Sequence, residues 1–292
     1  MKKNELICCR LKRLPKSMLV EAARTATGIN PVNHPRMDQL AGLMRGFRAT
    51  PQRIAVMTTS YWGSAGVKLT VGFLDDAPAD LRKRILLHMN AWNKDANIQF
   101  VPANTDPQVR ISRVGGKDGG YWSYVGTEIV HIPKDEATMN LEEFTMDTPE
   151  SEFHRVVRHE TGHTLGFPHE HMRRALVEKI DRQKAIAYFK RMDNWDEQEV
   201  VDQVLTPIEE AAIRGTIADP KSIMCYQIPG EITKDGKPIV GGLDIDKSDY
   251  AFAAQIYPKP VTPANRTVRT VRTVGQFQRR ELVTVPALRS TH

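Results

Sequence analysis

Twelve consecutive residues constrain this chain more than any others: His159-Glu160-Thr161-Gly162-His163-Thr164-Leu165-Gly166-Phe167-Pro168-His169-Glu170. They begin with H-E-x-x-H. On a helix, His159 and His163 stand one turn apart on one face, so both imidazoles can reach a single zinc ion. Glu160 sits between them in sequence, placed to act as general base on a water at the metal. Gly166 can leave the helix with a positive φ. That turn brings His169 back as a third ligand and leaves a fourth position open, as a catalytic zinc needs.

A bare H-E-x-x-H also arises by chance on surface helices. The longer pattern H-E-x-x-H-x-x-G-x-x-H is far more restrictive: it is the metzincin signature, and it predicts a Met-turn downstream. Ser222-Ile223-Met224-Cys225-Tyr226 supplies that turn. The combination argues against a purely structural role for the three histidines.

With 292 residues, the chain can build one large domain or two smaller ones around a sizeable core. No apolar run approaches the roughly 18 residues that span a membrane. The start, MKKNELICCRLKR, carries only a short apolar patch from Leu6 to Cys9. A signal-peptide core needs about 7–15 such residues, so export by the usual route is not expected and the cytoplasm is the default compartment. Three cysteines (Cys8, Cys9 and Cys225) make no disulfide framework and no C-x-x-C pair. Free thiols suit a reducing compartment.

Charge is unevenly spread. Residues 1–50 hold ten Lys/Arg against three Asp/Glu, and residues 258–292 hold seven against one, so the middle of this +6 chain is acidic. Basic arms can touch nucleic acid or anionic membrane, yet such ends are more often simply solvated. No specific nucleic acid partner is expected.

Three regions follow. Residues 1–52 read as a basic N-terminal extension and possible pro-segment, with a short helix from Leu19 to Ala26. Cys8, Cys9, His34 and Asp38 can each ligate a metal, and each is read as a bystander. Residues 53–257 read as the catalytic domain. There Val67 to Leu74 alternates as a strand. Asp75 and Asp76 offer caps for a helix carrying Leu81, Ile85, Leu86, Met89 and Trp92, with His88 read as a face residue. Ile98–Val101, Val109–Val114, Glu128–Ile132 and Met139–Leu141 read as further strands. Thr148-Pro149-Glu150 opens the central helix. His154 and His171 miss the ligand spacing and read as surface or supporting residues. Residues 174–215 look helical, with Ile186, Tyr188, Phe189, Val200, Val201, Val204 and Leu205 as core candidates. A hairpin turns at Asp235-Gly236, and Ser248 to Tyr257 forms a closing helix. Residues 258–292, with their Thr-Val-Arg repeat, read as a disordered tail.

Over roughly residues 67–257 the chain resembles the astacin-like metallopeptidases. The resemblance rests on Trp122-Ser123-Tyr124-Val125-Gly126, the zinc helix with Phe167, His169 and Glu170, Arg173, and Ser222 to Tyr226. It implies an α+β fold: a mixed, twisted sheet with two long helices, an irregular, partly helical C-terminal half, and the active-site cleft between them. It also implies that Tyr226 is an additional zinc ligand that swings away to stabilise the oxyanion. Glu170 matches the glutamate that receives a new N-terminus in secreted astacins. Asn97 and Tyr121 stand where those relatives carry cysteines, and Cys225 stands where His is common.

The expected function is therefore zinc-dependent endopeptidase activity on protein or peptide substrates. His159, His163, His169 and Tyr226 are the expected metal residues, Glu160 and Tyr226 the catalytic ones, with one catalytic Zn2+. The alternative is a catalytically silent, zinc-dependent peptide-binding module on the same scaffold. Loss of the glutamate would be its usual mark, and Glu160 is present.

Overall fold

Val67, Leu69 and Val71 are buried while Lys68 is exposed and Thr70 half-exposed, the two-residue period of a strand with one face in a core. This strand, β2 (Val67–Phe73), is the longest of the sheet in a computed structural model that describes residues 9–35, 50–51, 55, 57–116, 119–192, 194–207 and 218–260. The other strands are β1 (Cys9–Lys12), β3 (Ile98–Pro102), β4 (Val109–Ser112), β5 (Tyr121–Tyr124) and β6 (Met139–Leu141). Their order across the sheet is β1-β5-β6-β4-β2-β3. Strands β3, β2, β4 and β6 run parallel, whereas β5 runs against β6 and β1 runs parallel to β5. The mixed sheet and its helices are the expected α+β architecture.

Helix α1 (Leu19–Ile29) follows β1 in the N-terminal arm. Two asparagines just beyond it fasten the arm to the domain. Asn33 donates to the carbonyls of Ala26 and Tyr61, both at 2.8 Å, and accepts from Tyr61 N–H and Thr59 Oγ1, also at 2.8 Å. Asn30 donates to the carbonyl of Trp62.

Helix α2 (Ala79–Met89) runs into a 3-10 turn at Asn90–Lys94. Leu81, Ile85, Met89 and Trp92 are fully buried in one core with the sheet's inner face. The start of α2 corrects the expected cap: Pro78 precedes the helix, and Asp75 instead pairs with Arg113 at 3.0 Å. The central helix, α3, occupies residues 150–164 and widens to a π-helical stretch at Phe153–Val157. Pro149 stands at its N-cap; Thr148 Oγ1 accepts from Thr145 N–H at 3.0 Å instead of capping the helix.

Two further expectations are corrected. Residues Glu128–Ile132 are not a strand: Gly126–His131 is a 3-10 helix, because Gly126, Thr127, Glu128 and Ile129 are buried in succession, which alternation cannot satisfy. His88 is no exposed face residue, being buried with its ring 5.2 Å from Phe153 where α2 packs on α3.

Beyond the site lies a second core. Leu176, Ile180, Ala185, Tyr188, Phe189, Trp195, Val200 and Val204 gather there with Cys225 and Tyr226, which accounts for most of the predicted core positions. Helix α4 (Arg182–Met192) forms one wall. The predicted hairpin appears as a single antiparallel bridge, Ile228 to Ile239, around a 3-10 turn. Helix α5 (Lys247–Ile256) closes the chain with a reciprocal cap between Asp246 and Asp249. The expected tail lies outside the described residues from 261 onward, as do Cys8 and Asp38; His34 is exposed.

Candidate active site

Helix α3 delivers the first two histidines from its buried end. His159 and His163 lie one turn apart, with ring centroids 4.8 Å from each other and planes at 90°. Gly166 then leaves the helix with φ of +94°, a conformation that side chains with a Cβ resist. The turn returns His169 so that its ring lies 4.5 Å from His163 and 5.3 Å from His159. All three are buried.

The tautomers of His159 and His163 are set by backbone carbonyls. His159 Nδ1–H donates to Ile223 O at 2.6 Å, and His163 Nδ1–H donates to Phe167 O at 2.7 Å. Each Nε2 is left with its lone pair facing inward, the arrangement seen around metal-binding imidazoles. His159 Nε2 has no hydrogen-bond partner among the described residues, and His163 Nε2 points at His169 Nε2 from 3.0 Å. Burial lowers His159 to about 4, and burial together with the neighbouring imidazoles depresses His163 and His169. Three neutral, buried nitrogens converging on one point form a donor set that fits Zn2+.

Glu160 is fully buried beside them, and burial pushes its carboxyl up to about 8. A cation among the histidines would pull that value back down.

The Met-turn lies under this centre. A Cβ at Gly162 would run into the Met224 sulfur, so helix and turn meet without a spacer. The turn is held from behind by Asp249 of α5, which accepts from Ser222 Oγ at 2.6 Å and Ile223 N–H at 2.9 Å. Glu170 ties the returning loop to the same turn: its N–H donates to Met224 O at 2.8 Å, and its carboxylate accepts from Asp219 N–H at 3.0 Å. Tyr226 is buried with its ring 4.2 Å from that of His169 and stacked on His171 at the same separation.

Of the two readings left open for His171, surface or supporting, the second holds: it is fully buried, donates from Nε2–H to Gln203 O at 3.0 Å and forms the back wall for Tyr226. The sequence reading missed one residue here. Cys9 is no bystander: its Sγ and one nitrogen from each of His159, His163 and His169 all lie within 4.8 Å of one another. The same thiol partly offsets the upward push of burial on the Glu160 carboxyl. The only signal available in sequence was the residue type.

The sequence matches the peptidase family model described as Astacin over residues 57–237. The chain belongs to the astacin family. Two solved structures of myroilysin resemble it. One is 29% identical with a TM-score of 0.65, covering 69% of this chain and 97% of that one. The other is 30% identical with a TM-score of 0.52, covering 68% and 86%. High choriolytic enzyme 1, a hatching enzyme zinc-protease from the medaka Oryzias latipes, is 17% identical with a TM-score of 0.48, covering 74% and 100%. No curated protein matches. As an astacin-family member the chain is a zinc metalloendopeptidase, and nothing favours the silent alternative. Asn97 is held by hydrogen bonding: its side chain donates to Ala65 O at 2.6 Å, and its N–H donates to Tyr257 O at 2.7 Å.

A second cluster, His88, Glu150 and His154, also brings metal-ligating atoms together. Guanidinium groups occupy it instead: Arg84 pairs with Glu150 at 2.6 Å, and Arg158 reaches His88 Nδ1 at 3.3 Å and His154 Nε2 at 3.2 Å. It serves as a polar clasp between α2 and α3. Among the described residues no helix is long and apolar enough to cross a membrane.

Proposed function

We propose that His159, His163 and His169 hold the zinc, that Glu160 is the general base and that Tyr226 is the oxyanion donor. The single observation supporting this most strongly is the convergence of three buried imidazoles beside a buried carboxyl and the Tyr226 ring. Bound zinc supplies Lewis-acid polarisation of the scissile carbonyl and acidity to the attacking water. Glu160 takes a proton from that water as it attacks, then hands it to the departing nitrogen. Tyr226 donates from its hydroxyl to the oxygen that becomes negative, a contribution on the order of 3 kcal/mol. The carbonyls of Ile223 and Phe167 keep two imidazoles in the required tautomer, and Met224 floors the centre as a soft, apolar contact.

The substrate on this reading is a protein or peptide segment bound extended along the outer edge of β5. Support comes from the edge itself, which already accepts a strand, β1. Glu160→Gln tests the base, in protein whose Cys9 is replaced by Ser so that no thiol stands among the histidines. The expected outcome is full zinc content with peptide hydrolysis reduced by about 10²–10⁴-fold. An undiminished rate would remove the role from Glu160.

A further inference from the structure

We propose that Glu128 is a specificity residue of the cleft, taking a lysine or arginine side chain of an extended substrate whose other basic side chains lie on the faces of Trp122 and Trp195. This deepens the peptidase reading above and rests on it for what is bound; the charge preference itself rests on contacts of this chain.

The first argument is the placement of a buried anion. Glu128 lies in the 3-10 helix Gly126–His131, which follows directly on β5, the strand whose edge accepts an extended segment. It is 4% exposed, and its Oε2 has no hydrogen-bond partner among the described residues. Its Oε1 meets Arg13 at 3.3 Å, its one ion pair among the described residues. Arg13 belongs to the N-terminal arm and its side chain is 43% exposed, so this cation reaches in from the solvent side. The cleft wall therefore buries a carboxylate and takes the matching charge from whatever segment lies along β5. Burial pushes the Glu128 carboxyl up, and the Arg13 charge and the Leu14 backbone offset part of that push. A carboxylate in such a place favours a segment that brings a cation, because a buried charge without a partner is costly.

The second argument comes from neighbouring positions and from a different kind of contact. Arg10 lies 5.7 Å over the Trp195 ring, and Lys12 lies 4.5 Å over the Trp122 ring. Aromatic faces attract lysine and arginine alike. Trp122 belongs to β5, and Trp195 is backed by Phe189, stacked at 5.2 Å. Along β1 the burial alternates, with Cys9 and Leu11 buried and Arg10 and Lys12 half-buried, so the segment turns its basic side chains to one face. Three basic side chains within four residues thus meet three separate partners, from β5, from the helix after it and from the C-terminal half. The acidic balance of residues 51–257 favours the same class of ligand at longer range. Cys9 lies at the histidines, and Arg13 stands four positions further along. Glu128 accordingly reads a side chain about four residues from the one at the metal centre.

The test uses the full, zinc-loaded chain carrying Cys9→Ser, so that no thiol stands among the histidines. A mixed peptide library is digested and the new termini are read by mass spectrometry. Lysine and arginine are expected to be enriched at least threefold three to five residues from the cut, on one side of it. Glu128→Gln is expected to abolish that enrichment. Cutting without it, or the same enrichment in Glu128→Gln, overturns the proposal. A second measurement needs neither a change at Glu128 nor turnover. The peptide Ser-Arg-Leu-Lys-Arg-Leu, which copies residues 9–14 with serine for the cysteine, is compared with the same peptide carrying neutral citrulline as its fifth residue. Displacement of β1 by added peptide is read as faster amide hydrogen exchange over residues 9–14. The arginine peptide is expected to reach half its effect at a concentration at least tenfold lower. Equal effects, or none from either peptide, overturn the proposal. Displacement that favours the arginine peptide, with no hydrolysis of the library, upholds the basic subsite and counts against the peptidase reading instead.

Discussion

The Nδ1–H of His159 donates to the carbonyl of Ile223 at 2.6 Å, so the first histidine of the motif takes its tautomer from the Met-turn. Ile223 in turn donates its own N–H to Asp249 at 2.9 Å. A residue of the closing helix therefore reaches the histidine through one backbone unit. Asp249 is buried, and burial raises its carboxyl to about 6.

Asp249→Ala breaks that relay. Ser222 Oγ and Ile223 N–H lose their acceptor inside the protein, at about 1–3 kcal/mol for each group left unsatisfied. Zinc affinity is expected to fall about 10–100-fold, the usual cost of losing such outer support. Competition with a chromophoric chelator measures it; an affinity equal to wild type would show that Ile223 holds His159 unaided.

Tyr226→Phe keeps the ring that stacks on His171 and removes only the hydroxyl. In a Cys9→Ser background, kcat is expected to drop by about 10²–10³-fold while KM moves little, the pattern of an interaction made in the transition state. A change confined to KM would assign the hydroxyl to substrate binding.

His88 gives a pH dependence. Burial, outweighing nearby Glu150, lowers it to about 4, with Arg84, His154 and Arg158 facing the same ring. The unfolded histidine titrates near 6.5. Between those values the unfolded chain takes up a proton that the folded chain refuses, so stability present above pH 6.5 is lost as pH falls. The slope is up to about 1.4 kcal/mol per pH unit. Denaturant unfolding at pH 4.5 and 6.5 is expected to show a smaller acid loss in His88→Gln than in wild type. Identical losses would assign the acid sensitivity elsewhere.

Asn33→Ala removes four hydrogen bonds that fasten the arm to residues 59–61 and to the end of α1. The unfolding midpoint should fall, and Cys9 in the zinc-loaded protein should alkylate faster than in wild type. A lowered midpoint with Cys9 still protected would mean that β1 alone retains the arm.

The histidine site was legible because it is local. His159 to His169 fit within one helix end and one glycine turn, so spacing alone carries the geometry. The Met-turn lay more than fifty residues onward and was legible only as a pattern attached to the first. Cys9 was not, because its nearness to His159 depends on the arm's path to β5 and on Asn30 and Asn33, none of which leaves a periodic trace. Glu128 misled for a related reason: it is a polar residue buried by a tertiary contact with Arg13 that local pattern cannot foresee, and the same kind of contact, with Tyr226 and Gln203, decided between the two readings left open for His171. Strands β2, β3 and β4 were readable where alternation or an apolar run met β-branched residues.

The two-sided grip on β1 also sets a gauge. Sheet on one side and Gln203 on the other are already bridged by one extended backbone, so the passage is a single thread wide. A helix of about 10 Å diameter does not pass through such an opening, and neither does a paired hairpin. Sorting of candidate substrates would then begin before any side chain is read, by whether a stretch of protein can be drawn out as a lone strand. Compact domains would be spared, while frayed ends and unravelled loops would be taken.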